Sequence, residues 1–271
     1  MSATDDPFAL AETAAARLAE LSGVPRHDVA LVLGSGWAAA ADEIGETVAT
    51  VPATELPGFL PPAVVGHAGV ARSIAVQRPG QEPLHALVLP RTHFYENHGV
   101  RAVAHGVRTA RAAGCRTVVL TNGCGGLDPE IGPGSPVLIA DHLNLTGASP
   151  LEGPTFVDLT DLYSARLREL ARTVDADLPE GVYVQFRGPH YETPAEVRMA
   201  GVMGGSLVGM STTLEAIAAR HVGLEILGLS LVTNLAAGVS AQPLSHQEVL
   251  DAGREAAPRC SRLLAGIVPQ L

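Results

Sequence analysis

Lysine is missing from this chain: all 18 basic residues are arginine. That excludes Schiff-base chemistry on a lysine and the lysine of a P-loop. An anion bound here must be held by arginine, histidine, hydroxyls and backbone N–H groups. Cysteine is scarce. Cys115, Cys124 and Cys260 are too few and too scattered for a disulfide framework. They also lack metal-ligand spacing, and neither HExxH nor CxxC occurs, so no metal site is expected. They read as small buried hydrophobes. Positive charge is short too. The net charge of −10 leaves no basic stripe for nucleic acid. No apolar run reaches the roughly 18 residues of a membrane helix, because Gly, Pro, His or charged residues interrupt each one. Met1 to Asp6 is acidic and lacks the basic start of a signal peptide, which makes a cytoplasmic protein the expectation.

What is present is a globular composition, 46% hydrophobic and 17% charged, over 271 residues. Pro7 to Leu21 carries apolar residues at helical spacing. Strand-length apolar runs follow at Val29–Leu33, Ala71–Val76, Ala86–Leu89, Thr117–Thr121, Pro136–Ala140, Val182–Phe186 and Ile226–Thr233. Helical patterns occupy Val100–Ala113, Ser164–Thr173, Pro194–Met203, Leu214–His221 and Ser245–Leu264. Strands alternating with helices predict an α/β fold with a mixed or mostly parallel sheet. No repeat or linker interrupts the chain, so residues 1–271 read as a single domain. The Pro/Gly-rich stretch from Pro52 to Gly69 reads as a surface loop able to line a site.

The polar residues collect after the strands, where open α/β sheets bind ligands. Val29–Leu33 leads into Gly34-Ser35-Gly36, and Ala86–Leu89 into Pro90-Arg91-Thr92-His93-Phe94-Tyr95-Glu96. Thr117–Thr121 leads into Asn122-Gly123-Cys124-Gly125-Gly126, and Val182–Phe186 into Arg187-Gly188-Pro189-His190-Tyr191-Glu192-Thr193. The short run Ser206–Val208 precedes Gly209-Met210-Ser211-Thr212, and Ile226–Thr233 precedes Asn234. Any one cluster has an ordinary explanation; six together predict one shared site. The Gly34-Ser35-Gly36 turn, ahead of an expected helix at Trp37–Ala41, suits an anion, as do the other two glycine turns. A tight connection without ligand is the bland reading of each. Gly34-x-Gly36-x-x-Ala39 also matches a relaxed dinucleotide fingerprint, with Glu55 about twenty residues on. Glu55 sits in Thr54-Glu55-Leu56-Pro57-Gly58, however, which reads as a turn and not as the end of a second strand.

Arg91 and His93 alternate after a strand, so both side chains point one way, and arginine offers a planar fork for phosphate oxygens. A surface salt bridge is the plain alternative. Glu192 and Asn234 are the pair suited to reading a base edge: a carboxylate accepts from N–H groups, and an amide both donates and accepts. The competing reading of Glu192 is a helix-start charge ahead of Pro194.

In their order, these motifs resemble the trimeric family of purine nucleoside phosphorylases. The match extends through Gly66-His67-Ala68-Gly69, Asp141-His142-Leu143-Asn144-Leu145 and Ser245-His246-Gln247-Glu248-Val249-Leu250, over roughly residues 29 to 250. The resemblance implies one domain with a mixed central sheet flanked by helices on both sides. It implies phosphorolysis of purine nucleosides and deoxynucleosides, preferring inosine and guanosine, in purine salvage. Inorganic phosphate would be co-substrate, no other cofactor would be needed, and the assembly would be a homotrimer. Ser35, His67, Arg91, His93, Gly123 and Ser211 take the phosphate-ligand positions. Tyr95, Met210 and His246 take the ribose positions. Tyr191, Glu192 and Asn234 take the purine positions, and catalysis falls to Asn234, Glu192 and His93. Phe156 is the candidate for a phenylalanine that the neighbouring subunit places over the sugar.

The chain departs from the family's usual pattern in places. Asn122-Gly123-Cys124 stands where Asn-Ala-Ala is common. Pro90 replaces a glycine, His190 replaces a small or amide residue, and the stretch from Asn234 to His246 is shorter than in mammalian relatives. The nearest rival is methylthioadenosine phosphorylase, which lacks the glutamate of Tyr191-Glu192-Thr193 and has aspartate where Asn234 stands. A dinucleotide oxidoreductase and an inactive binding protein of the same fold are the alternatives outside that activity.

Overall fold

A computed structural model describes residues 6–61, 69–240 and 244–271. The expected strands and helices are present with small shifts of boundary. The helices are α1 (Pro7–Ser22), α2 (Gly99–Ala112), α3 (Ala165–Val174), α4 (Pro194–Val202), α5 (Thr213–His221) and α6 (His246–Ile267). Capping side chains fix where several begin. Asp6 accepts the Phe8 N–H ahead of α1, Ser164 accepts from Leu167 ahead of α3, and Ser245 accepts from Glu248 ahead of α6. Gly23, with φ of 69°, ends α1 in the left-handed conformation that glycine adopts at least cost.

The strands are β1 (Val29–Val32), β2 (Glu46–Pro52), β3 (Val70–Val76), β4 (Leu84–Leu89), β5 (Thr117–Gly126), β6 (Pro136–Asn144), β7 (Glu180–Gln185), β8 (Leu207–Gly209) and β9 (Glu225–Leu235). They form one mixed sheet in the order β2-β3-β4-β1-β5-β8-β7-β6-β9, and β9 returns to pair with β5. Half of the sheet is therefore open and the other half closes on itself. Apolar residues pack on both faces, as strands buried on two sides require. Val118 and Leu120 of β5 join a core with α1, α2 and α5, whereas Val119 joins a core with α3 and α6. Among the described residues no helix is long and apolar enough to cross a membrane.

Three expectations change. The segment Asn122–Gly126, read as a glycine loop, is the second half of β5; the glycines pack against strand and side-chain neighbours. The expected helix at Trp37–Ala41 is a 3-10 turn over Ala38–Asp42. The six polar segments also do not lie along one edge of an open sheet. β8 is antiparallel to β5, and β7 is parallel to β8, so these two strands enter the site against the direction of β5. β8 meets β5 only because β5 runs on past the point where β1 stops. Within the Pro52–Gly69 stretch, Ala53–Glu55 is a 3-10 turn. That agrees with reading Glu55 as part of a turn. The two neighbours of β1 are β4 and β5, so no second strand ending at Glu55 lies beside it.

Candidate active site

All six polar segments line one cleft. Gly34 and Ser35 come from the end of β1, and Arg91, His93 and Tyr95 from the segment after β4. Asn122 to Gly125 come from β5, Tyr191 and Glu192 from the segment before α4, Gly209 to Ser211 from the end of β8, and Thr233 and Asn234 from β9. Leu244 and Val249 add an apolar wall at the start of α6. Of the residues expected at the site, His67 lies outside the described residues, as does the side chain of His246, whose backbone opens α6. Phe156 lines no part of this cleft and is 94% exposed on the long connection from β6 to α3.

One end of the cleft is built around Arg91. Its guanidinium is buried, and two of its three nitrogens are held. Nε donates to both oxygens of Glu215, at 3.1 and 2.8 Å, and Nη1 donates to the Thr121 carbonyl at 2.7 Å. Nη2 is buried with no partner among the described residues. A buried donor in that state carries a desolvation penalty until a ligand accepts from it. Gly34 must be glycine here, because a Cβ would sit 2.6 Å from the Thr121 oxygen and 2.9 Å from Nη1 of Arg91. Beside it, the His93 ring is fixed by Nδ1 against Glu96 Oε1 at 2.9 Å, while the same oxygen accepts the His93 N–H at 2.7 Å. The ring stacks on Tyr95, with centroids 4.8 Å apart. Burial pushes the Tyr95 phenol up to about 12, with the Glu96 carboxylate adding to the effect, so it stays a neutral donor at working pH.

Ser211 is placed by a strained turn. Thr212 has φ of 79°, a region that β-branched residues rarely enter. Its N–H donates to Glu215 Oε2 at 3.0 Å, and its hydroxyl accepts from Asn122 Nδ2 at 2.9 Å. Asn122 is held in turn by the Ser230 hydroxyl at 2.8 Å. Gly123 faces Ser35 closely: a Cβ there would lie 3.2 Å from the Ser35 Cβ. The glycine in place of the commoner alanine thus leaves space beside Ser35.

The other end is less satisfied. Glu192 is 7% exposed, and its Oε1 is buried without a partner among the described residues. Desolvation raises its pKa above the usual carboxylate range; Glu196 pushes the same way and His190 opposes it. The helix-start role belongs to another residue. Thr193 caps α4 and Glu196 completes its capping box, which leaves Glu192 outside the helix and in the cleft. Asn234 follows a β-bulge: the pairing of β5 with β9 shifts between Cys124–Val232 and Gly125–Asn234. Such a bulge re-aims a side chain. The amide oxygen accepts from the Thr233 hydroxyl at 2.9 Å, and the amide nitrogen donates to the Leu235 carbonyl at 3.0 Å. Tyr191 is 40% exposed at the mouth. His190 is exposed and does not line the cleft.

Glu215, Glu96, Thr121 and Asn122 hold the anion end together, and no reading of the sequence assigned them that task. Glu215 lies 124 positions from Arg91. The one local signal is the Thr212-x-x-Glu215 spacing of a capping box, which points to a helix start and not to an ion pair. Among the described residues no group of three or more His, Cys, Asp or Glu side chains is placed to hold a metal ion.

The comparisons with known proteins agree with this architecture. The family model described as "Phosphorylase superfamily" matches residues 28–269. A purine nucleoside phosphorylase of Cellulomonas sp. is 67% identical over 97% of this chain and 93% of its own length. One from Mycobacterium tuberculosis is 55% identical over 97% of both. The crystal structure of Schistosoma mansoni purine nucleoside phosphorylase in complex with inosine superposes with a TM-score of 0.85 at 31% identity, covering 97% of this chain and 96% of that one. The chain belongs to the phosphorylase superfamily and, within it, to the purine nucleoside phosphorylases.

Proposed function

We propose that the enzyme splits 6-oxopurine ribonucleosides and 2′-deoxyribonucleosides, inosine and guanosine above all, with inorganic phosphate, to give the free base and (2-deoxy)ribose-1-phosphate in cytoplasmic purine salvage. One observation carries this reading. A cleft with an arginine-centred anion end at one side has, at the other, an amide and a carboxylate with one buried oxygen unpartnered among the described residues. Phosphate is a co-substrate, and no further cofactor takes part.

The chemical problem is to break a C–N glycosidic bond with no covalent nucleophile on the protein. As the bond stretches, positive charge grows on the sugar ring and negative charge on the purine. Phosphate held by Arg91, Ser35, His93, Ser211 and the Gly123 backbone, with His67, lies below C1′. There it stabilises the sugar cation and then captures it. Holding both reactants in line converts a bimolecular encounter into a local one. Tyr95, Met210 and His246 bind the ribose, and Tyr191 lies against the base. Glu192 accepts the purine N1–H, which satisfies its buried oxygen. The amide of Asn234 leaves its weak local contacts to bond N7 and O6, where charge develops. Donors placed for that charge are each worth about 3–4 kcal/mol of barrier.

Water must be kept out, or hydrolysis competes. Phe156, exposed in the single chain, serves as a lid over the neighbouring subunit's sugar in a homotrimer. Aspartate at position 234 would suit an adenine amino group, whereas asparagine with Glu192 suits a 6-oxo group. The test is side-by-side turnover of inosine and adenosine at saturating phosphate. Faster inosine cleavage, with ribose-1-phosphate as product, is expected. Faster adenosine cleavage would reverse the assignment towards the methylthioadenosine phosphorylase type.

A further inference from the structure

We infer that Glu215 is a positioning residue for phosphate: one buried carboxylate sets both arms of the anion end, Arg91 and the Ser211–Thr212 turn. The inference rests on the phosphate reading proposed above. Both partners of the ion pair are nearly inaccessible, with side chains 1% and 4% exposed. Glu215 spends its two oxygens on three contacts: Oε1 takes Nε of Arg91, and Oε2 takes Nε of Arg91 together with the N–H of Thr212.

The two arms lie far apart in the sequence and come from strands that do not pair with each other. Arg91 follows β4, whereas Ser211 follows β8; in the sheet, β1 and β5 separate those two strands. Without a common anchor, each arm would choose its own position. Arg91 alone would rotate about its side-chain bonds. With Nε on Glu215 and Nη1 on the Thr121 carbonyl, the guanidinium plane is fixed, and Nη2 is left for an acceptor. Thr212 adopts a disfavoured backbone conformation, and the N–H bond to Glu215 is one of the contacts that hold it there. That conformation sets the direction of Ser211. Among the described residues that line the cleft, Arg91 is the one arginine, and the chain has no lysine.

A carboxylate that merely stabilised the fold would affect the two ends of the cleft alike; one that positions the anion ligands would not. The deciding experiment compares wild type, Glu215→Gln and Ser211→Ala. It measures KM for inorganic phosphate at saturating inosine, and Kd for hypoxanthine by calorimetry without phosphate. Glutamine keeps the shape and the oxygen shared by the Thr212 N–H and Nε of Arg91, but removes the charge and sets its amide NH2 against Nε in place of Oε1. The expected result is a phosphate KM raised at least fivefold in E215Q, with hypoxanthine Kd within twofold of wild type. A smaller rise, or an equal loss of hypoxanthine affinity, overturns the role of Glu215. Glu215→Asp, which keeps the charge and shortens its reach, gives the same split should E215Q fail to fold. If S211A raises the phosphate KM and the Glu215 variant does not, only this role falls. If neither does, the phosphate reading falls with it.

Discussion

The two ends of the cleft are finished to different degrees. At the anion end, Arg91, His93, Asn122 and Thr212 each have protein partners that fix their orientation before any ligand arrives. At the base end, among the described residues, Glu192 has a buried oxygen with no partner, and the Asn234 side chain bonds only its immediate neighbours in sequence. The difference fits what the proposed phosphorolysis asks of each end. Phosphate has the same shape before and after reaction, so a rigid cradle suits it. The base changes charge as the bond breaks, and a donor aimed at N7 and O6 gains most when that charge appears.

The largest expected effect breaks the anion end. Arg91→Ala leaves Glu215 as a buried, uncompensated charge, and loss of one partner of a buried ion pair costs about 3–5 kcal/mol. Thermal unfolding should show a strongly lowered Tm, which added phosphate no longer raises. At the base end the fold should survive and catalysis should suffer. Asn234→Ala and Glu192→Ala should each lower kcat/KM for inosine by two orders of magnitude or more, about 3 kcal/mol. Steady-state kinetics check this, and an effect under tenfold for either residue removes it from the base site.

Glu192 separates stability from activity. Its folded pKa is raised by desolvation, so the protonated form is favoured in the folded protein. The stability tied to that proton is complete below the unfolded pKa and is lost as pH rises through the folded value. Above the folded pKa the carboxylate is therefore a burden, and Glu192→Gln should raise stability at neutral pH while lowering activity. Denaturant melts at pH 7 and pH 4 check the sign, because the advantage should shrink at the lower pH. The activity follows the opposite course. The ionised carboxylate is the stronger acceptor for N1–H, so kcat/KM should fall on the acid side as Glu192 takes up a proton, and E192Q should lack that limb. The smallest effect concerns His190, which opposes the upward shift of Glu192. His190→Asn should move the acid limb to slightly higher pH, with less than a twofold change at pH 8.

The base end was readable in the sequence only through Glu192 and Asn234, more narrowly than the anion end. Glu192 and Asn234 are single residues with a chemistry of their own, and each sits beside a strand or helix signal. The anion end was legible in its ligands and not in its supports. Glu215 meets Arg91 through the tertiary fold, across 124 positions, and no local pattern records that. The strands were readable where they are buried, because they are continuously apolar. β2 was not: it pairs only with β3 at the edge of the sheet, and its residues are mostly exposed, so Glu46–Pro52 carries no apolar run. The extension of β5 through Asn122–Gly126 was hidden because its glycines resemble a loop. In the structure they serve close packing, as at Gly125, where a Cβ would lie 3.1 Å from Val208. The return of β9 to β5 is long-range pairing, set by register between strands more than a hundred residues apart.

The most direct measurement is the rate of inosine cleavage by the wild-type enzyme as phosphate is titrated from zero, with the sugar product identified. Turnover that vanishes without phosphate, saturates as phosphate is added and yields ribose-1-phosphate is predicted. Cleavage that persists without phosphate and releases free ribose would make the enzyme a hydrolase and contradict the assignment of Arg91, Ser35 and Ser211 to a phosphate co-substrate.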